Sequence, residues 1–386
     1  MDNTAFRTPR AGDDRPDLLE LKDANVSKPE ILRNESLHPA NEPSGWQVEY
    51  IACYFIKNSG RDPSKVAAAI ASYLNIGQDD VATRKRIEQR ISPFVETVLP
   101  NRTLRVNIAG KEQQTFGPSS YSGISAGLFP LYHQPAIGHT FATHAVHEPP
   151  PFSLPSTTVV ADETGWGVIS DIDDTIKVTM TPSITGILHS TFVVETPQPI
   201  TGMPDLYAHM ADILKMPPFF YLSASPYNLY PFLRRFRDAH YPQGTIILRD
   251  ASWQNLGGFI ASLRQNTQAY KVSRMRRIHA WFPHRHFVCL GDSTQSDPEA
   301  YGEIARMFPG WVRAVFIRKV TDIAEPGMAA KNAPERFEKA FKGLDRGLWH
   351  VFTEPEELRA RVEELGRDAE ALVGGGGVVV GRSHDV

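Results

Sequence analysis

The residues of this chain best suited by type and spacing to chemistry begin in Val168-Ile169-Ser170-Asp171-Ile172-Asp173-Asp174-Thr175. An apolar run passes straight into acids, and residues two apart on an extended backbone point to one side, so Asp171 and Asp173 can share a site. A carboxylate kept ionised beside a divalent cation can attack phosphorus and form an aspartyl-phosphate. A second acid can protonate the leaving oxygen and then activate water. Asp171 is therefore the expected nucleophile and Asp173 the expected acid-base. Taken alone, two acids after an apolar run more often mark a solvated loop, so the assignment needs supporting residues elsewhere.

Three further segments supply them. Phe219-Phe220-Tyr221-Leu222-Ser223-Ala224-Ser225-Pro226 closes an apolar run with Ser223, whose hydroxyl can donate to a phosphoryl oxygen or cap a helix. Lys271 opens a stretch in which Val272, Met275 and Phe282 recur at helical spacing; most helix lysines are solvated, but in this company it can offset charge on nucleophile and phosphoryl group. Finally, Phe287-Val288-Cys289-Leu290-Gly291-Asp292 leads to Asp297-Pro298-Glu299, with Gly291 expected to allow a sharp exit from a strand. Hard carboxylate oxygens suit magnesium, which makes Asp292 an expected ligand. Asp297 reads either as a ligand or support of a ligand, or as an N-cap for the helix from Pro298.

These motifs must be held by elements of a particular kind. Short apolar runs at 167–172, 219–222, 245–248, 287–290 and 312–317 alternate with helical patterns near 206–215, 229–240, 270–282, 298–308 and 355–372. The alternation predicts an α/β fold, a Rossmann-like doubly wound parallel sheet whose site lies at the carboxyl ends of its strands. Ahead of it, residues 46–155 read as an accessory region, helical and then β-rich: a helix over 65–74 preceded by Asp62-Pro63, a second over 80–98, and an alternating strand over 103–108. Residues 1–45, rich in charge, Pro and Asn, read as a disordered arm. The catalytic domain is expected over 156–350, with a C-terminal helix and flexible Gly-rich tail over 351–386. About 48 residues separate Thr175 from Ser223, of which a β/α crossover uses roughly 30, so the expected cover is a flap of loops and short strands over 178–204 rather than a large lid.

Composition bounds the partners. The 386 residues carry 41% hydrophobic and 22% charged side chains with a formal net charge of −3, which gives no whole-chain case for nucleic acid. No apolar run reaches the length of a membrane span. Cys53 and Cys289 lack metal-ligand spacing and read as reduced, buried thiols in a soluble, cytoplasmic protein. One stretch stands out: from Ala251 to His286 there is no acid, while Arg264, Lys271, Arg274, Arg276, Arg277 and Arg285 are interleaved with aromatics. This pattern suggests docking on an anionic membrane surface.

In order and wording, the four motifs resemble the haloacid dehalogenase superfamily. Within it, Ser170 to Lys177, Leu222 to Pro226, and Gly291-Asp292-Ser293 with Asp297-Pro298-Glu299 look like the actin-patch phosphatidate phosphatase family of fungi and its bacterial relatives. The resemblance covers roughly residues 150 to 320. It implies Mg2+-dependent hydrolysis of phosphatidic acid to diacylglycerol, with Asp171, Asp173, Ser223 and Lys271 catalytic. It further implies Thr175, Ser223 and Lys271 at the substrate, and Asp171, Asp173, Asp292 and Asp297 at the metal. Actin-patch or endocytic proteins and a cortical, peripheral membrane location are implied by the same likeness, although this sequence has no long proline-rich tail of the kind that recruits SH3 domains. The alternatives are a phosphatase for a soluble or protein phosphomonoester, and a non-catalytic lipid-binding or actin-patch adaptor.

Overall fold

The computed structural model describes residues 45–56, 62–146, 156–249 and 267–374, with the backbone alone for 20–21, 24–27 and the end of the last helix. The first sheet starts with β1 (Glu20–Leu21), β2 (Ala24–Ser27) and β3 (Gln47–Cys53). A short antiparallel pair, β4 (Phe55–Ile56) and β5 (Thr97–Val98), brackets helices α1 (Ser64–Tyr73) and α2 (Val81–Val95). Then β6 (Leu104–Ile108), β7 (Glu112–Phe116), β8 (Ile124–Pro130), β9 (Thr140–Ala145) and β10 (Ser156–Val160) complete the sheet in the order β1-β3-β2-β10-β9-β6-β7, with β8 on β3. Its core gathers Tyr50, Phe116, Val106, Ile108 and Leu131.

Two boundaries differ from expectation here. The arm expected over 1–45 lies mostly outside the described residues, yet β1 and β2 within it pair with β3, and β2 also pairs parallel with β10. Backbone pairing to an existing sheet orders a polar segment that could not form a core of its own. Similarly β10, counted above with the catalytic part, pairs antiparallel with β9 and belongs to the accessory sheet.

The catalytic part follows a strict β/α rhythm. It comprises β11 (Gly165–Asp171), α3 (Ile184–Leu188) continuing as a π-helical turn over His189–Val193, α4 (Met203–Ile213), β12 (Phe219–Pro226), α5 (Tyr230–His240) and β13 (Gly244–Arg249). After these come α6 (Thr267–Trp281), β14 (Arg285–Asp292), α7 (Asp297–Met307), β15 (Val312–Arg318), α8 (Met328–Lys331), α9 (Pro334–Ala340), β16 (Trp349–Phe352) and α10 (Arg359–Gly374). The six strands lie in the order β13-β12-β11-β14-β15-β16, all parallel. The chain builds outward from β11 through β12 and β13, then returns to the other side of β11 with β14. The order therefore reverses between β11 and β14, where an open α/β sheet opens its ligand crevice.

Strand alternation divides the core into two layers. Val168, Tyr221 and Leu290 point to the face covered by α4, α5 and α10, while Ile169, Phe220 and Cys289 point to the face covered by α6 and α7. Each fully buried large apolar side chain in these layers, such as Met275 or Phe282, stabilises the fold by about 1.5–3 kcal/mol. The first layer also takes in Ile70, Ile87, Ile91 and Phe94 of α1 and α2, so the accessory helices share the core of the parallel sheet.

The flap over 178–204 is helical instead of strand-like. Ser183 accepts a hydrogen bond from the Gly186 amide to start α3, and Ile187, Leu188, Thr191 and Phe192 then bury one side of a helical turn. Among the described residues, the one bridge to this segment is Lys177↔Pro199. No large separate cap is built from the described residues between Thr175 and Ser223.

Candidate active site

Asp171 ends β11 and Asp292 ends the adjacent β14, so the topology alone brings two acids to one crevice. Asp297, the first residue of α7, is the third: carboxylate oxygens of Asp171, Asp292 and Asp297 lie within 4.8 Å of one another, all buried. Asp297 does not cap its helix. One of its oxygens accepts the Asp292 amide at 3.0 Å and the other accepts Lys271 Nζ. Gly291 makes this possible by having no side chain: a Cβ there would stand 2.5 Å from the Asp297 Cβ. Its role is close approach rather than the sharp strand exit expected from sequence.

Lys271, fully buried on α6, also donates to Asp171 Oδ1 at 2.6 Å. The second oxygen of Asp171 accepts Thr175 Oγ1 at 2.9 Å. Burial, with Asp297, Asp292 and Asp173 nearby, pushes the Asp171 carboxyl well above its usual range, while Lys271 opposes the shift. Burial and the Asp297 charge likewise push Asp292 up to about 8. For Lys271, burial works against the charged form, yet Asp171, Asp297 and Asp292 together hold its ammonium above the usual value.

This charge balance tests whether a metal fits. Three buried carboxylates face one buried ammonium, which leaves an excess of negative charge that is costly away from water. A hard divalent cation with oxygen ligands suits such a donor set, and magnesium in particular is held by one or two carboxylates with waters. Asp171, Asp292 and Asp297 would hold it. The Asp173 carboxylate, expected at the metal, stands outside that trio.

Asp173 instead faces the opening. Its Oδ2 accepts Ser223 Oγ at 2.6 Å and its Oδ1 accepts Thr179 Oγ1 at 2.8 Å, with Lys177 Nζ 3.8 Å away. A cavity of about 330 Å³ opens over Asp173, Thr179 and Ser225. Asp171 lies beneath, 1% exposed, and Ser223 is fully buried while bound to Asp173. Thr175, expected at the substrate, is fully buried and turned toward Asp171 and, at 3.4 Å, Asp292. All seven residues named from sequence thus meet in one place.

Several contributors were not named. Asp174, with a left-handed backbone at φ 62°, accepts the amides of Thr179, Met180 and Thr181 at 2.9, 2.7 and 2.6 Å and the Thr181 hydroxyl at 2.7 Å. It pins the start of the flap to the loop that follows Asp171. Arg318, at the end of β15, donates to the Asp174 carbonyl at 2.9 Å, and Thr294 binds Asp292 through both its amide and its hydroxyl. The third consecutive acid in Asp171-x-Asp173-Asp174 was the available signal.

The basic stretch has a different fate from the surface expected. Arg277 pairs with Glu49 of the accessory sheet and lies over the Trp281 ring, and Arg274 lies over Tyr270. Arg285 is buried and donates to the carbonyls of Asp162 and Trp166 at 2.7 and 2.6 Å. Of the arginines on α6, only Arg276 is exposed. Arg264 lies outside the described residues. Similarly, Cys289 is buried as expected, but Cys53 is only half-buried.

Residues 166–319 match the family model of the catalytic domain of phosphatidate phosphatase APP1. The chain is 28% identical over 256 residues to phosphatidate phosphatase APP1 of Saccharomyces cerevisiae, covering 64% of this chain and 42% of the yeast protein. It is 30% identical over 170 residues to an uncharacterized protein of Schizosaccharomyces pombe, covering 43% of this chain and 27% of that relative. The chain therefore spans less than half the length of the curated relatives it matches.

Proposed function

Because residues 166–319 match the family model of the phosphatidate phosphatase APP1 catalytic domain, we propose that this chain is a magnesium-dependent phosphatidate phosphatase. The observation that supports this chemistry is the different setting of two neighbouring acids. Asp171 has its oxygens fixed by Lys271 and Thr175 beneath the cavity, while Asp173 faces the opening.

Bound magnesium would neutralise the oxygens of the phosphoryl group at the carboxylate trio. Asp171 attacks phosphorus in line with the ester oxygen, and Asp173 gives that oxygen its proton, releasing diacylglycerol and leaving an aspartyl-phosphate on Asp171. Asp173, now a carboxylate, takes a proton from water as the water attacks phosphorus. This step regenerates Asp171 and frees phosphate. Lys271 stays charged throughout and offsets negative charge beside the nucleophile. Ser223 exchanges its bond to Asp173 for one to a phosphoryl oxygen. Among the described residues no helix is long and apolar enough to cross a membrane, so the lipid headgroup is reached by peripheral contact with an anionic surface.

The test is phosphate release from phosphatidic acid, lysophosphatidic acid, diacylglycerol pyrophosphate and soluble esters. Excess chelator should stop release and magnesium restore it, with calcium a poor substitute because its larger, looser shell misplaces the reacting atoms. Full activity in chelator would remove the metal from the reaction. Turnover of soluble esters with no turnover of any lipid would move the substrate to a soluble phosphomonoester.

A further inference from the structure

We propose that the catalytic cavity continues into an acyl-chain subsite between α2, the flap and α5, which takes one hydrocarbon chain of the lipid phosphomonoester. The proposal rests on the phosphatidate reading above. The lining of the catalytic cavity is mixed: Asp173, Lys177 and Thr179 give it a polar part, and Ile187, Leu229 and Phe232 an apolar part. A compact, soluble phosphomonoester would use only the polar part.

Beside the apolar part lies a second cavity of about 400 Å³, and the two share Thr191, Leu229 and Phe232 as a common wall. Its lining includes Pro93 of α2, Pro197 of the flap, and Pro231, Phe236 and Ala239 of α5, with Arg90, Glu195 and Arg235 also bordering it. Phe232 and Phe236 are one helical turn apart, so they present consecutive rings along one side of α5. Phe232 is half-buried with the Arg90 guanidinium 4.9 Å and the Lys177 ammonium 5.9 Å from its ring centre, so charged groups and an apolar ring stand side by side where the two cavities adjoin. Both volumes fall within the range of pockets that bury small-molecule ligands. The shared lining of Thr191, Leu229 and Phe232 is what selects the occupant: a chain covalently joined to the phosphate has this adjoining cavity beside it.

The experiment measures kcat/KM for dibutyryl, dihexanoyl and dioctanoyl phosphatidate, each below its aggregation threshold, with p-nitrophenyl phosphate as a soluble reference. Each methylene buried in the subsite should raise kcat/KM by about fourfold until the cavity is filled. Ala239→Trp, at an exposed helix position, places an indole in the second cavity and should cut the dioctanoyl-to-dibutyryl ratio by about tenfold or more. A flat wild-type series overturns the subsite, as does an unchanged ratio in a folded Ala239→Trp. The wild-type series decides the matter even if that variant fails to fold. If p-nitrophenyl phosphate is hydrolysed and every phosphatidate is inert, the phosphatidate reading itself falls and the subsite with it. Phosphatidate turnover without chain-length dependence removes the subsite alone.

Discussion

At the scale of single residues, the separation of Asp171 from Asp173 sets the kinetics to expect. Asp171 is buried between Lys271 and Thr175, and replacement by Asn keeps its volume while removing the attacking oxygen. Asp171→Asn should lower kcat by about ten-thousand-fold or more and give no phosphoenzyme. Asp173→Asn should also lose turnover, but trap a trace of phosphoenzyme from an aryl phosphate whose leaving group needs no proton. Rapid acid quench and detection of protein-bound phosphate distinguish the two; equal labelling would merge the roles assigned here. Gly291 offers a purely steric test. Its missing Cβ leaves room for the Asp297 side chain, so Gly291→Ala must push Asp297 away from the Asp292 amide and Lys271. The expected cost is about 1–3 kcal/mol in stability, together with a weaker magnesium midpoint, read by denaturant melts and metal titration.

Between elements, the important contact is that of the flap with its two supports. From inside, the Asp174 carboxylate accepts three successive amides; from outside, Arg90 of α2 donates to the carbonyls of Thr191, Val194 and Glu195 at 3.1, 2.6 and 2.8 Å. Asp174→Ala orphans those donors, each at about 1–3 kcal/mol if it stays buried, and should raise hydrogen exchange at Thr179, Met180 and Thr181 while sheet amides remain protected. Unchanged exchange there would show that the flap is held by other means. The same elements show what a sequence discloses. The five central strands and the helices between them were legible because buried parallel strands are continuous apolar runs and the covering helices keep one apolar side. The seven residues of the site were legible because they sit at strand ends and helix starts in a set order. β16 was missed, since Trp349-His350-Val351-Phe352 is a short run marked by no clear alternation. The helical turn of the flap was missed because Thr and Ile favour strands and Pro favours loops locally, and only its packing on the neighbouring helices decides otherwise. The basic stretch misled for a related reason: whether an arginine meets solvent or Glu49 depends on a strand more than two hundred residues away.

Across the whole molecule, the matched catalytic segment is smaller than the folded unit. Beyond residue 319 lie β16, which pairs with β15, and α10, whose fully buried Val362 packs in the first core layer together with fully buried Leu358 of the turn just before it. Before residue 166 lie the helices that complete that layer and the arginines that hold the flap. A fragment of 166–319 should therefore be insoluble or molten, whereas 20–374, which keeps β1 and β2 in the accessory sheet, should melt cooperatively; circular dichroism melts of the two would check this. A stable, active 166–319 fragment would show that the flanking segments are dispensable. The grip of Arg90 on the flap has one more consequence, for how such a chain can change over generations. Two units joined by a bare linker can be recombined with new neighbours freely, but here a swap of the accessory region would also remove the outer support of the flap beside the cavity. Variation in α2 is then inherited as variation in catalysis, and new partners are more readily acquired by additions at the ends than by replacing what lies upstream of β11.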